Sequence, residues 1–202
     1  MVKSTLVARK ILKKEPLNIN KENFRIKIIE DYKKIGLIQE KNDYTFTDKS
    51  LENFFYIHLL KEIFPYAKVI NCRRNAISSI VSILQNNLTE LAWTHDLENI
   101  FKYFNNYFEI IKNFNTIASN FIYELEYEKL IMEPEEESKK LMKFCGLPWD
   151  KKCLEFYKRK DLISKTASNV QIRKAIYKHP SEKYLPYKNF LNKYGEKYPW
   201  FN

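Results

Sequence analysis

The stretch AKVINCRRNAISSIVSIL, residues 67–84, joins a short apolar run to a helical pattern through two adjacent arginines. The run AKVINC lacks clean alternation, which is typical of a strand covered on both faces in a parallel sheet. A helical pattern follows at once and continues to Asn86. In open α/β sheets ligands gather at the carboxyl ends of strands, where a helix start adds backbone donors that suit phosphate. We therefore expect an anion site at Arg74, with the Ser82 hydroxyl two turns along the helix.

The segments on either side of this stretch predict an alternation of helices and strands. Apolar spacing predicts helices in INKENFRIKIIEDYKKIGL, SLENFFYIHLLKEIF, DLENIFKYFNNYFEIIKNF and EPEEESKKLMKFCGL, the last ending at Gly146. Aromatic and β-branched residues predict strands in YTFT and FIYELEY. After the first helix the order is strand, helix, strand, helix, helix, strand, helix. This order predicts an α/β fold with a parallel sheet flanked by helices.

Length and composition indicate one domain with a bulky core. The 202 residues are 45% hydrophobic and 15% aromatic, which is enough for a single domain over residues 1–202 but not for two. Residues 1–20 are weakly patterned, and residues 158–202 form a basic segment that reads as loop-rich. Three glycines are too few for a glycine-rich nucleotide cradle.

The formal net charge of +10 indicates a polyanionic partner, because clustered cations attract phosphate and sulfate. The excess is nearly all lysine, with only six arginines, whereas readers of bases and phosphates use the planar guanidinium. The scarcity of arginine thus argues against a nucleic-acid binder as the first interpretation, although the net charge suggests one. A basic nucleic-acid-binding module stays open as an alternative.

The cysteines and the N-terminal sequence indicate in which cellular compartment the protein is expected. Cys72, Cys145 and Cys153 lack metal-ligand spacing, so we expect buried, reduced thiols and no metal site. The start MVKSTLVARKIL has too short an apolar run for a secretory leader, and no segment has membrane-spanning length. We expect a soluble, cytoplasmic protein that does not use a membrane.

Five ordered stretches resemble the motifs of one family. They are FTDKSLENFF, FPYAKVINCRR with the serine eight residues after its second arginine, YEKL, FCGLPWD and KTASNVQIRKAIY. In this order they resemble the sulfotransferase family, most closely the bacterial members associated with tetratricopeptide repeats and the tyrosylprotein sulfotransferases. The resemblance covers roughly residues 20–190.

The resemblance implies a P-loop-like parallel sheet and an enzyme that uses 3'-phosphoadenosine 5'-phosphosulfate (PAPS). Its sulfuryl group would pass to a hydroxyl-bearing acceptor. By the same resemblance, Arg74 and Ser82 would hold the 3'-phosphate, and Tyr127 would pack on the adenine, as aromatic rings do on flat bases. Ser168 and Lys183 match positions near the phosphosulfate.

The resemblance also implies that Lys49, in the TDK stretch, is the catalytic residue. Sulfuryl transfer to a hydroxyl places negative charge on the bridging oxygen of the leaving phosphate, so a cation there is worth most in the transition state. The catalytic base stays open among three residues. They are Glu52, His58 and His95.

One family element has no counterpart in this sequence. The first strand and its phosphosulfate loop, which resembles GxPRSGTT, are not found, and no glycine precedes Gly36. By the resemblance this strand lies in the middle of the sheet, so we expect a fold that lacks it and has unpaired edges, which a second polypeptide could fill. Losing the loop also removes converging amides from the sulfuryl end of PAPS. A truncated, non-catalytic remnant that binds only the nucleotide is therefore a second hypothesis.

Overall fold

The computed structural model describes the greater part of the chain. The described residues are 20–34, 36, 38, 46–86, 88–118, 120–159, 173–176, 181–194 and 197–201. The chain divides into two compact units. The first comprises residues 1–67 and 107–121, and the second comprises residues 68–106 and 122–202.

The first unit is helical in its described part. Helix α1 is Lys21–Lys34, and a 3-10 helix, Leu51–Tyr56, leads directly into α2, Ile57–Ile63. The YTFT stretch predicts a strand, yet its described residues, Phe46 and Thr47, are irregular. Phe46, which is 39% exposed, instead lies edge-on to Tyr32 of α1, with 5.5 Å between the ring centroids, so its aromatic contact is with a helix and not with a sheet.

The sheet of the second unit has two described strands. They are β1, Val69–Arg73, and β2, Ile122–Glu126, and they run parallel in the register Val69↔Ile122 to Arg73↔Glu126. The pair Asn71 and Glu124 lies directly opposite in this register, and the Asn71 amide donates to both carboxylate oxygens at 2.8 and 3.0 Å. Such opposed side chains are the unit of sheet stabilisation. The parallel pairing agrees with the predicted α/β class, although helices form most of the described structure.

One face of β1 is more exposed to solvent than the sequence predicts. A strand covered on both faces should bury all its apolar side chains, but Ile70 is 38% exposed and Cys72 is also exposed. The opposite face carries the buried Asn71. In the described part of the chain, β1 therefore has one covered face and one open face. All three cysteines are free thiols, as expected, but none is fully buried: Cys72 is exposed, and Cys145 and Cys153 are partly buried.

The second unit buries a largely aromatic core. Helix α3, Ala76–Asn86, contributes Ile80, and the first turns of α4, Leu97–Ile117, contribute Ile100 and Phe101, all with no exposed surface. The C-terminal part of the chain packs on the same cluster through four buried side chains: Tyr184, Leu191, Tyr198 and Phe201. The remaining helices are 3-10 Ala92–His95, α5 Tyr127–Met132, α6 Pro134–Cys145, 3-10 Lys151–Lys158, 3-10 Ser181–Tyr187, α7 Lys188–Leu191, 3-10 Asn192–Tyr194 and 3-10 Pro199–Phe201.

Helix α6 ends at Gly146, as the sequence predicts. Gly146 has φ 69° and ψ 24°, in the left-handed region. Its N–H donates to the Lys143 carbonyl at 3.1 Å, and the Leu147 N–H donates to the Met142 carbonyl at 2.9 Å. These two bonds form a Schellman motif, which closes the last helical turn.

Replacing Gly146 with alanine should lower the free energy of unfolding by about 1 kcal/mol, because an L-residue pays for the left-handed conformation. A Cβ at Gly146 would have no heavy atom within 4 Å, so the cost is conformational rather than steric. Urea denaturation measures the change. Gly146→Asn is the matched control and should lose less, since asparagine tolerates this conformation. Equal stability of the alanine variant and the parent would contradict the assignment.

In the described ranges, none of the helices combines the length and the apolar character needed to cross a membrane. The same ranges hold no cluster of three or more histidine, cysteine or carboxylate side chains that could bind a metal ion.

Candidate functional site

The second unit places a cation between two aromatic rings at the carboxyl end of β1. Arg74 directly follows the strand, and its guanidinium carbon lies 5.2 Å from the centroid of the Tyr127 ring and 5.4 Å from that of the Tyr184 ring. Both distances are within the range of cation–π attraction. Arg74 is exposed, and within the described residues it forms no ion pair with a carboxylate. Its charge is therefore fixed in position and can still receive an anion.

The sheet register explains why Arg74 and Tyr127 meet. The strands are parallel and Arg73 is paired with Glu126, so the next residue of each strand leaves the sheet at the same edge. Tyr127 is the first residue of α5, not the last residue of a strand as the sequence predicts. Its ring is partly buried. The structure thus brings together two residues that the sequence assigns to opposite ends of one nucleotide, the phosphate and the base.

Ser82 lies on α3, the helix that begins two residues after Arg74. Its side chain is partly buried, and the Asn86 amide donates to the Ser82 hydroxyl at 3.2 Å and to its carbonyl at 2.7 Å. Because Asn86 uses a lone pair of the hydroxyl oxygen, the hydroxyl hydrogen can still be donated to an anion. Neither Ser82 nor Arg74 is sealed in the core.

The sequence predicts backbone N–H groups at the start of α3 that are available to a ligand, but two of them already have partners within the protein. The Asn75 side chain accepts from the Ser78 N–H at 3.0 Å, and a Glu128 carboxylate oxygen accepts from the Asn75 N–H at 2.9 Å. Side chains of the protein thus satisfy these two donors, as is usual at a helix N-terminus. A bound phosphate would depend on side chains such as Arg74 rather than on these amides.

A cleft with a mostly acidic lining adjoins this site, since it includes Glu128, whose carboxylate accepts from the Asn75 N–H. It has a volume of about 550 Å³ and is lined by five glutamates, two lysines and a methionine: Glu124, Glu126, Glu128, Glu133, Glu137, Lys129, Lys140 and Met132. The excess of carboxylates repels phosphate, so the cleft itself is not the candidate site for the phosphates of a nucleotide.

Lys49 lies in the first unit, in the irregular segment 46–50. Its side chain is exposed, and it has no ion-pair partner among the residues that the structure covers. The preceding Asp48 is held by several donors. It accepts from the Ser50 N–H at 2.9 Å, from the Ser50 hydroxyl at 2.6 Å and from the Tyr32 hydroxyl.

The pKa values around Asp48 reflect these bonds. Partial burial alone would raise the pKa of Asp48, but hydrogen bonds from Ser50, Tyr32 and Asn53 together outweigh it and hold the pKa below its usual range. Three effects raise the pKa of Tyr32 to about 12. The largest is the partial burial of its hydroxyl, followed by the hydrogen bond to Asp48 and by the negative charge of Asp48. At neutral pH the pair is therefore a phenol donating to a carboxylate.

The three candidate bases have different surroundings. Glu52 and His95 are exposed. His58 is partly buried, with its ring edge-on to Phe114 at 4.8 Å between centroids, and burial, followed by the charge of Lys61, lowers its pKa. His58 is thus neutral at physiological pH.

For two further predicted site residues, the side chain lies outside the described part of the chain. Ser168 lies outside the described residues. Lys183 belongs to the 3-10 helix Ser181–Tyr187, but its side chain lies outside the described part of the chain. Their roles stay predictions.

The structure adds contacts that sequence reasoning missed. Tyr184, 9% exposed, packs against Arg74, and Glu128 joins the end of β2 to the start of α3. Glu128 follows Tyr127 in the YEKL stretch, and this position was the only feature of the sequence that could have indicated a role for Glu128 near the site. Tyr32, which donates to Asp48, gave no signal beyond helical spacing.

The parallel strands and the cationic, aromatic site at their carboxyl end define an α/β protein with a candidate anion site. A sequence model described as the sulfotransferase family matches residues 11–151. The chain belongs to the sulfotransferase family. An Aquifex aeolicus (strain VF5) protein described as uncharacterized is 38% identical over 148 residues. That match covers 71% of this chain and 19% of the Aquifex protein, so the chain spans about a fifth of that relative's length.

Proposed function

We propose that the protein transfers a sulfuryl group from PAPS to a hydroxyl-bearing acceptor. The observation that carries the proposal is the exposed guanidinium of Arg74 held between the rings of Tyr127 and Tyr184. Membership of the sulfotransferase family supports the reaction class. PAPS as the donor and the chemical nature of the acceptor are part of the proposal.

The site fits an adenosine 3'-phosphate in its chemistry. A guanidinium binds phosphate oxygens through charge-assisted hydrogen bonds, and a tyrosine ring that contacts a cation on one face would offer its other face to a base. In this protein the guanidinium carbon and the Tyr127 ring are 5.2 Å apart. Adenine and a ribose phosphate belong to one small molecule, so they need a cation and a ring that are close neighbours. The Ser82 hydroxyl supplies a further donor on the adjoining helix.

The reaction would exchange one sulfur–oxygen bond for another. The acceptor hydroxyl oxygen attacks sulfur, the bond between sulfur and the 5'-phosphate oxygen breaks, and the hydroxyl proton leaves to a base or to water. The products are a sulfate ester and adenosine 3',5'-bisphosphate. Lys49 would stabilise the charge that develops on the leaving phosphate oxygen. Ser168 and Lys183 are proposed to contact the phosphosulfate.

The proposal includes a further polypeptide strand beside β1. In the described sheet β2 is the one strand that pairs with β1. A strand from a second polypeptide would extend the sheet at the other edge of β1, whereas the exposed face with Ile70 and Cys72 would be covered only by an element packed on it. It is also a candidate source of amides for the sulfuryl end of PAPS.

Calorimetric titration with two isomeric nucleotides tests the nucleotide site. Adenosine 3',5'-bisphosphate should bind at least about 10-fold more tightly than adenosine 2',5'-bisphosphate, because the two have equal charge and only the first places its phosphate as the proposal requires. Equal affinities would indicate attraction by net charge alone. Absence of binding by the folded chain would refute the proposal, and salt-sensitive DNA binding unaffected by nucleotide would favour the nucleic-acid alternative.

A further inference from the structure

Tyr32 is the residue of α1 that holds the segment carrying Lys49. Its hydroxyl donates to Asp48, and its ring lies edge-on to Phe46, with 5.5 Å between centroids. The same tyrosine thus contacts two positions of a five-residue segment, 46–50, that has no helix or strand of its own. Tyr32 is in the last turns of an α-helix, so it offers this segment a regular element to dock on.

The hydrogen bonds that Asp48 accepts hold the backbone of segment 46–50 at a defined position. Its carboxylate accepts from Tyr32, from the Ser50 N–H at 2.9 Å and from the Ser50 hydroxyl at 2.6 Å. The Asn53 side chain, on the following 3-10 helix, also helps to lower the pKa of Asp48. The bonds from Ser50 are local, whereas the bond from Tyr32 comes from 16 residues away. Among the described hydrogen bonds of Asp48, the one from Tyr32 joins the turn to α1.

Lys49 lies directly between Asp48 and Ser50, whose side chains and backbone are bonded to each other. Its own side chain is exposed and, in the described part of the protein, has no ion-pair partner that would hold it. The position of its ammonium group therefore depends on where the backbone of the segment is held. A catalytic cation loses efficiency when its position spreads over an ångström or more, because orientation supplies a large part of the rate.

We propose that Tyr32 is a positioning residue for sulfuryl transfer, which acts by anchoring Asp48 and thereby fixing the point from which Lys49 extends. This inference rests on the proposed function, since it requires Lys49 to act on the leaving group. Tyr32 touches neither donor nor acceptor in this scheme. Its contribution should appear in turnover and not in nucleotide affinity, because the residues proposed to bind the nucleotide, Arg74 and Tyr127, take no part in the contact between Tyr32 and Asp48.

The test replaces Tyr32 with phenylalanine, which keeps the ring against Phe46 and removes only the hydroxyl. The reaction is hydrolysis of ³⁵S-labelled PAPS with water as the acceptor, followed as release of sulfate. The kcat should fall about 3- to 10-fold, the scale of one hydrogen bond lost from a positioning network, while the KM for PAPS and the Kd for adenosine 3',5'-bisphosphate stay unchanged. Tyr66→Phe is the matched control, since Tyr66 is 92% exposed in the same unit, and it should have the parent kcat.

A second substitution tests whether Tyr32 acts through Asp48. Asp48→Ala, which removes the acceptor of the Tyr32 hydroxyl, should itself lower kcat, and adding Tyr32→Phe to it should lower kcat by less than twofold more. Additive losses would mean that Tyr32 acts by another route. Hydrogen exchange supplies a readout without turnover: the Ser50 amide, bonded to Asp48, should exchange several-fold faster in Tyr32→Phe than in the parent.

The outcomes separate this inference from the proposed function. If the parent hydrolyses PAPS and Lys49→Ala does not, parent kcat and parent Ser50 exchange in Tyr32→Phe would overturn the inference alone. If Lys49→Ala keeps the parent kcat, the proposed role of Lys49 fails, and the catalytic part of the inference fails with it. Faster Ser50 exchange would then support only the anchoring contact. A rise in KM equal to the loss of kcat in Tyr32→Phe would indicate general damage instead of positioning.

Discussion

Lys49→Ala should lower the kcat of PAPS hydrolysis, and of transfer to any hydroxyl acceptor, by about 100- to 1000-fold. This is the usual cost of removing one group that stabilises charge developing in a transition state. The lysine is exposed, lies outside any helix or strand and is flanked by the bonded pair Asp48 and Ser50. Its removal should therefore leave the fold intact. The Kd for adenosine 3',5'-bisphosphate should stay within twofold of the parent value.

Two matched variants make the Lys49 result specific. Lys112→Ala removes an exposed lysine from the same unit and should keep the parent kcat. Lys49→Arg keeps the charge but changes its reach and shape, so it should recover part of the lost activity. A loss below about threefold in Lys49→Ala would contradict a role at the leaving group. Equal losses in Lys49→Ala and Lys112→Ala would point to an effect of net charge.

Local patterns predicted the elements that flank the site. The segment EPEEESKKLMKFCGL carries its own start and stop signals, a proline and acids at the first turn and Gly146 at the end, and it forms α6 as predicted. The two apolar runs AKVINC and FIYELEY form the paired strands β1 and β2. Each of these signals is contained in a short window of sequence. That is why the carboxyl end of β1, and Arg74 with it, could be located in advance.

Contacts between distant segments could not be predicted in this way. Tyr184 meets Arg74 across 110 positions of sequence, and Tyr32 meets Asp48 across 16, and neither pair follows a helical or strand period. The prediction of a strand at YTFT was wrong in its described residues, where the aromatic contact of Phe46 is with Tyr32 of a helix and local β-propensity did not decide the structure. A third contact between distant segments is the hydrogen bond from the Asn75 N–H, at the start of α3, to the Glu128 carboxylate.

These distant contacts change the mechanism that the sequence implies. From the sequence, a phosphate at the end of β1 would be bound partly by free amides of the following helix. In the structure, Glu128 and the Asn75 side chain already take two of those donors. In the proposed site, the guanidinium of Arg74, which lies against two tyrosine rings, would then supply a large part of the affinity for a phosphate. On this proposal, substitution of Arg74 should weaken binding.

Arg74→Ala should therefore weaken binding of adenosine 3',5'-bisphosphate by about 10- to 150-fold, equivalent to about 1.5–3 kcal/mol for a lost charge-assisted hydrogen bond. Binding of adenosine 5'-monophosphate, which lacks the 3'-phosphate, should change by less than threefold. Isothermal titration calorimetry at fixed ionic strength measures both. Arg74→Lys keeps the charge but loses the planar group that fits between Tyr127 and Tyr184, so its affinity should fall between those of the alanine variant and the parent.

The neighbouring arginine supplies the control for this experiment. Arg73 is the last residue of β1, its side chain is half exposed, and its guanidinium lies 4.0 Å from a Glu124 carboxylate oxygen. Arg73→Ala removes the same charge one position away and should leave the affinity for adenosine 3',5'-bisphosphate within threefold of the parent value. If Arg73→Ala and Arg74→Ala weaken binding equally, the nucleotide is attracted by the basic surface as a whole. The assignment of the 3'-phosphate to Arg74 would then be wrong, because only Arg74 is held between the two rings.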